Sequence, residues 1–260
     1  MRTIIIVFAK SLVRGPMLHR FSDFIVRAKV SHHVTVRHGD LTIRLSHPNP
    51  QIRSRNLTFS TKEPATLRWI EAMSKDAILW DVGANVGLYS VFAARRGIDV
   101  VAIEPSALNC EFLVRNISLN DVCERILVVP LALGSRATQV APMNIKSSAW
   151  GDSQNAYATK RGQTGEVENF EISYRTLGLS LDSLSSQFGI PIPTHIKIDV
   201  DGTEPEILEG GSAVLQSVKS VLVEVPLVSG SSERIAHVLR KGGLRMWDVE
   251  GRNQIWTRCE

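Results

Sequence analysis

Cysteine is scarce in this 260-residue chain, and so are the features of a secreted, membrane-spanning or metal-built protein. The three cysteines, Cys110, Cys123 and Cys259, are an odd set without metal-ligand spacing. They argue against a disulfide framework or zinc centre and for a reducing compartment. No apolar run approaches the ~20 residues that span a bilayer. The run at residues 4–9 stops at Lys10 and lacks a small-residue cleavage site, so neither an anchor nor a signal peptide is expected. Acids are nearly missing from residues 1–60, where ten Lys/Arg face only Asp23 and Asp40; that segment is near +8 and the remainder near −4. Also absent is the G-x-G-x-x-G string of a dinucleotide site. With 43% hydrophobic residues the chain can bury a full core, and one large domain with an appendage is the expectation.

What is present begins with Trp80-Asp81-Val82-Gly83-Ala84-Asn85-Val86-Gly87, where a strand apolar on both faces (residues 77–80) turns into a helix starting at Leu88. Gly83 permits a tight turn, and Gly87 lets the helix start close against a ligand or the sheet. Asn85 stands where a dinucleotide fingerprint has its middle glycine, and Asp81 places a carboxylate nearby. A pyrophosphate would be repelled there, whereas the sulfonium and ammonium of S-adenosylmethionine would be attracted. Residues 99–103 form the next strand, ending in Glu104-Pro105 about twenty residues after the turn, the position of a ribose-binding acid. The predicted cofactor residues are therefore Asp81, Gly83, Ala84, Asn85, Gly87 and Glu104.

Within the basic segment, Met17, Leu18, Phe21, Phe24, Ile25 and Ala28 recur at helical spacing beside His19, Arg20, Arg27 and Lys29. Two roles stand open for this amphipathic helix: peripheral docking to an anionic membrane or lipid-linked substrate, and packing on the main domain with a solvated face. Residues 33–37 and 41–45 alternate around Gly39-Asp40 and predict a hairpin. Five histidines, His19, His32, His33, His38 and His47, lie in this segment without acidic or cysteine partners at ligand spacing, so no metal site is predicted. Ser60 or Thr61 is expected to cap the next helix, with Glu63 and Pro64 in its first turn.

Helix over residues 107–120 and strand over 125–129 continue a right-handed parallel alternation. The loop at 130–134 offers no carboxylate to an adenine amino group, which leaves backbone groups to read it. Residues 142–165 are polar and predict a long loop, a lid or substrate insertion. Its Trp150 and Tyr157 either stack on a sugar face or anchor the loop to the core. A second cluster, Ile196-Lys197-Ile198-Asp199-Val200-Asp201-Gly202-Thr203-Glu204, brings acids to a strand end, where open α/β sheets bind ligands. Period-two alternation puts Lys197, Asp199 and Asp201 on one face, beside the donor methyl, with Lys197 as counter-ion. Glu204 and Glu206 also fit a helix first turn, and Glu224 is a further acid at the same edge.

The D-V-G-A-N-V-G turn at Asp81, the I-E-P strand end at Glu104, S-L-D-S-L at residues 180–184 and I-K-I-D-V-D-G-T-E at residues 196–204 together resemble the FkbM family of S-adenosylmethionine-dependent methyltransferases. In place of the family's D-V-E-G-A-E, this chain has Asp201 for a glutamate and Thr203 for an alanine. The resemblance implies O-methylation of a hydroxyl on a sugar, glycolipid or natural product, with Asp199 or Asp201 taking the proton. The expected fold is α/β: a doubly wound, mostly parallel seven-stranded sheet of the Rossmann-like methyltransferase kind over residues 61–260, with parallel strands near 77–82, 99–104, 125–129, 194–199 and 220–225 and a closing antiparallel hairpin, after a basic appendage over 1–60. The expected partner is a small-molecule or glycan acceptor, in the cytoplasm or at the membrane periphery. Three alternatives remain. Asn85 and Asp81 disfavour a dehydrogenase. The basic segment has no aromatic-rich nucleic-acid module, which disfavours an RNA methyltransferase. A cofactor-binding scaffold without turnover would keep Asp81 and Glu104 yet make no product.

Overall fold

The computed structural model describes residues 32–258. The amphipathic helix expected at residues 17–28, the apolar run at 4–9 and Cys259 lie outside them. In chain order the elements are β1 (His33–His38), β2 (Leu41–Ser46), α1 (Pro50–Leu57), α2 (Phe59–Lys62), α3 (Pro64–Glu71), β3 (Ile78–Val82), α4 (Leu88–Arg95), β4 (Asp99–Ile103), α5 (Ala107–Leu119), β5 (Ile126–Val129), β6 (Ala132–Leu133), β7 (Thr138–Ile145), β8 (Ala156–Tyr157), β9 (Ile172–Leu179), α6 (Leu181–Gln187), β10 (His195–Ile198), α7 (Glu204–Glu209), β11 (Ser220–Glu224), α8 (Ser231–Lys241), β12 (Leu244–Glu250) and β13 (Asn253–Arg258).

Seven strands form one sheet in the order β12, β13, β11, β10, β3, β4, β5. The five strands from β11 to β5 are parallel, and β13 and β12 close the edge antiparallel. Alternating side chains feed two cores. Leu79, Val100, Ala102 and Leu222 face the helices α3 and α4 and the β1–β2 hairpin. Trp80, Val101, Ile196 and Val221 face α6, α7 and α8. The sheet is therefore wound on both faces, as its near-continuous apolar strands require. The hairpin shares the first core through Val36, Ile43 and Leu45. Asn116 of α5 and Asn120, at its C-cap, fasten it by accepting from the backbone N–H groups of Ser46 and Arg44.

Two local expectations need correction. The helix expected to be capped by Ser60 or Thr61 is α3, which starts at Pro64 with Glu63 at the N-cap, because Phe59–Lys62 forms its own short helix, α2. Residues 142–165 are not one irregular loop. Residues up to Ile145 belong to β7, which pairs antiparallel with β9 and β8 in a second, four-stranded sheet ordered β6, β9, β7, β8. Both aromatic residues anchor this insertion. The Tyr157 hydroxyl donates to the Gln139 carbonyl at 2.7 Å, and Trp150 packs on Phe112 with ring centroids 5.5 Å apart.

Strand order reverses between β3 and β10, since the chain runs outward through β4 and β5 before returning to β10 and β11. The crevice at the carboxyl ends of these two strands is where such sheets hold ligands.

Candidate functional site

A cleft opens at that crevice. Gly83, Ala84, Asn85, Glu104, Asp199 and Asp201 line it, together with residues 152–155 of the expected insertion, Glu63, which was expected only in a helix first turn, and residues the sequence did not single out: Arg55, Phe59, Lys62, Tyr89, Asn109 and Arg252. Asp81 and Gly87 stand behind its wall. The glycines are fixed by close approach. A Cβ on Gly83 would lie 1.9 Å from the Asp199 carbonyl oxygen, and one on Gly87 would meet Leu113 at 2.4 Å. Gly87 thus makes room for Leu113 of α5. Asn85, Gln154 and Asp201, all around the cleft, have φ between 51° and 66°, a left-handed conformation that a non-glycine residue holds only when its surroundings impose it.

At one end, Glu104 is buried and built into neutral donors. It accepts from the Asn85 N–H at 2.8 Å, the Ser106 N–H at 3.0 Å and the Asn109 amide at 3.2 Å. Burial outweighs these bonds and pushes its carboxyl up to about 7. A narrow recess of about 40 Å³ continues from here between Pro105, Leu131, Leu133 and Met143.

At the other end, charges meet charges. Lys197 and Asp81 are cross-strand partners in the β10–β3 register, with Nζ 3.7 Å from Asp81 Oδ1 and 3.2 Å from Asp199 Oδ2. Its Nζ also sits 5.1 Å from the centre of the Tyr89 ring. Burial opposes the Lys197 charge, yet Asp199, Asp81 and Glu63 hold the ammonium above its ordinary range. Asp81 Oδ2 accepts from Ser90 at 2.6 Å, while the buried Oδ1 has no hydrogen-bond partner.

Asp199 follows the last residue of β10, and the expected alternation stops there. Asp201 leaves the strand direction at φ 63°, so Lys197 serves Asp81 and Asp199 but not Asp201. The loop between is held by Glu204, whose carboxylate accepts from the N–H groups of Val200 and Gly202. Glu206 instead pairs with Arg234 at 2.9 Å on the surface.

Glu224, at the end of β11, accepts from Arg252 Nη2 at 2.6 Å and from Gln163 at 3.2 Å. Burial and the facing Asp199 carboxylate push it up to about 8. Asp199 is held below the ordinary carboxylate range because Lys197 and the hydrogen bond from Glu224 outweigh its burial. Burial and Asp199 raise Asp201. One oxygen from each of Asp199, Asp201 and Glu224 lies within 4.8 Å of the others, a spacing a cation could bridge, although Lys197 and Arg252 already neutralise the group.

The insertion folds over both ends. The Asp152 carbonyl accepts from the Asn85 and Asn109 amides, the Gln154 N–H donates to Asp201 at 2.7 Å, and Arg55 reaches the Gly151 carbonyl at 3.3 Å. With this strap in place the cleft holds about 210 Å³, below the ~300–1,000 Å³ of common ligand pockets.

A family model described as the methyltransferase FkbM domain matches residues 81–244. Over 156 residues the chain is 30% identical to the hexuronic acid methyltransferase AglP of Haloferax volcanii, covering 60% of this chain and 59% of that one. It is 25% identical over 198 residues to the methyltransferase sdnD of Sordaria araneosa, covering 67% and 76%. The crystal structure of a methyltransferase FkbM from Methylobacillus flagellatus is similar at 17% identity and a TM-score of 0.48, over 71% of this chain and 44% of that one. The chain thus spans less than two thirds of the length of AglP and of that crystallised protein.

Proposed function

This chain belongs to the FkbM methyltransferase family, and on that premise we propose that it is an S-adenosylmethionine-dependent O-methyltransferase acting on a hydroxyl of a sugar, glycolipid or natural product. One observation carries the reading furthest. Six carboxylates line the cleft against four cations, and burial with mutual repulsion drives Glu104, Asp201 and Glu224 upward. Such a site favours a cationic ligand and disfavours an anionic dinucleotide.

The residues present fit the donor. Glu104 would take the ribose hydroxyls, the backbone from Gly83 to Asn85 would let the nucleoside approach, and Asp199 and Asp201 would face the sulfonium. When bound, S-adenosylmethionine supplies a methyl carbon whose bond to sulfur breaks as the bond to the acceptor oxygen forms, the sulfur keeping the electron pair. The protein's share is alignment and removal of the hydroxyl proton. Arg55 bonds the Asn85 side-chain oxygen, the Gly151 carbonyl and Ser153, and makes no ion pair among the described residues. Its guanidinium on the cleft wall suits an acceptor carrying a carboxylate, in keeping with the hexuronic acid named for the Haloferax relative.

Calorimetry with S-adenosylhomocysteine and with NAD tests the donor. Tight NAD binding with no response to S-adenosylhomocysteine would end the reading. Incubation with S-adenosylmethionine and a panel of hexuronates, neutral hexoses and glycolipids, followed by mass spectrometry for one added methylene, tests the acceptor.

A further inference from the structure

Resting on the methyltransferase reading above, we infer that Glu224 is the residue that receives the hydroxyl proton, with Asp199 as a fixed anion beside it. Three acids compete for that task, and their surroundings separate them. Asp199 is bound to Lys197 at 3.2 Å, and Lys197 is itself buried between Asp199 and Asp81. A carboxylate so paired is a strong anion and a weak base. Asp201 shares the Gln163 amide with Glu224, at 3.3 Å on Oδ1, but its Oδ2 is also tied to the strap backbone by the Gln154 N–H at 2.7 Å. It is a fastening point for the insertion.

Glu224 differs in position and in neighbours. It ends a central strand where the two aspartates sit in a loop and, like them, lines the cleft. The charges around it are Asp199 and Asp201 from the loop after β10 and Arg252 from the β12–β13 turn. Lys62 and Glu63 line the same cleft, and Lys197 lies behind Asp199. Arg252 holds one carboxyl oxygen at 2.6 Å, and the neutral Gln163 amide reaches the other at 3.2 Å. The Asp199 charge works the other way and keeps Glu224 avid for a proton near neutral pH, where a general base is most effective. When the hydroxyl oxygen gains its bond to carbon, its proton passes to a Glu224 oxygen, leaving a neutral carboxylic acid that next loses the proton to water.

Two measurements on the full chain test this. In the unliganded protein, a carboxyl titration followed by carbon-13 NMR on labelled glutamate, assigned with E224Q, is expected to place Glu224 at about 8 and lower in D199N. A Glu224 midpoint in the ordinary glutamate range would overturn the inference. With the acceptor found in the panel above, E224Q should lose about 10²- to 10⁴-fold in kcat, and E224D should recover part of it. Affinity of E224Q for S-adenosylhomocysteine should stay near wild type. Wild-type-like turnover in E224Q would also overturn the assignment, whereas a wild-type chain that ignores S-adenosylhomocysteine would sink the parent reading instead.

Discussion

The two ends of the cleft use the same kind of residue in opposite ways. Glu104 is met by neutral N–H donors, two of them from the backbone, and its position is set by the β3 and β4 turns. Asp81, Asp199 and Glu224 are met by Lys197, Arg252 and one another. Neutral donors fix the position of Glu104 without supplying a counter-charge. Opposed charges hold a protonation state, and they fail together when one is removed. The first arrangement suits binding, the second proton transfer.

Removing the shared cation should break the charged end hardest. Lys197→Met leaves Asp81 and Asp199 buried without their counter-ion, and about 3–5 kcal/mol of folding stability should be lost. Urea unfolding measures it, and a loss under ~1 kcal/mol would mean that the pair contributes little.

The pH dependence of the unliganded protein should come next. Glu104 and Glu204 are raised to about 7 and Glu224 to about 8, so the folded chain favours their protonated forms. Their contribution is complete below the ordinary glutamate range and is lost as pH rises through about 7 to 8. Asp199 runs oppositely, since its lowered value stabilises above the ordinary aspartate range and is lost as pH falls through that lowered value. The melting temperature should therefore drop by several degrees from pH ~5.5 to ~8.5. E224Q should flatten the upper part of that curve.

At the neutral end, Glu104→Gln should weaken S-adenosylhomocysteine binding by about ten- to a hundredfold, the usual worth of hydrogen bonds to a charged group. Above pH ~7 the variant should be no less stable than wild type, since a buried charge has gone. Calorimetry and thermal melts separate the two effects. The smallest change is expected from Gln163→Ala, which unties the strap from Asp201 and Glu224. It should cost under ~1 kcal/mol while speeding amide hydrogen exchange at residues 152–155, and unchanged exchange there would argue that Gln154 and Arg55 hold the strap alone.

The parallel sheet was readable because its strands are mostly apolar and four of the five run into an acid or a glycine at Gly83, Glu104, Asp199 and Glu224. Expected strands at 77–82, 99–104, 125–129, 194–199 and 220–225 correspond to β3, β4, β5, β10 and β11 within a residue or two. The second sheet was not readable. Pro142 interrupts β7 where a proline usually marks a loop, and β8 has only two residues. Helix α1 left no periodic trace either, since only Ile52 and Asn56 are buried. Of the residues predicted to bind the cofactor, Gly83, Ala84, Asn85 and Glu104 reach the cleft directly. Spacing cannot tell that Asp81 turns under the strand ends toward Lys197, or that Gly87 yields to Leu113, because both depend on partners far along the chain. Arg55 and Arg252 carried no signal, one on an almost unpatterned helix and the other in a hairpin turn.

The family match begins at Asp81 and ends at Leu244, yet Arg55, Phe59, Lys62 and Glu63 enter the cleft from before it and Arg252 from after it. Grafting the matched stretch onto foreign flanks would carry over the residues proposed to hold the nucleoside and leave behind the wall proposed to greet the acceptor. The flanks are thus the economical place to re-aim such an enzyme toward a new hydroxyl, and the least safe place to trim it.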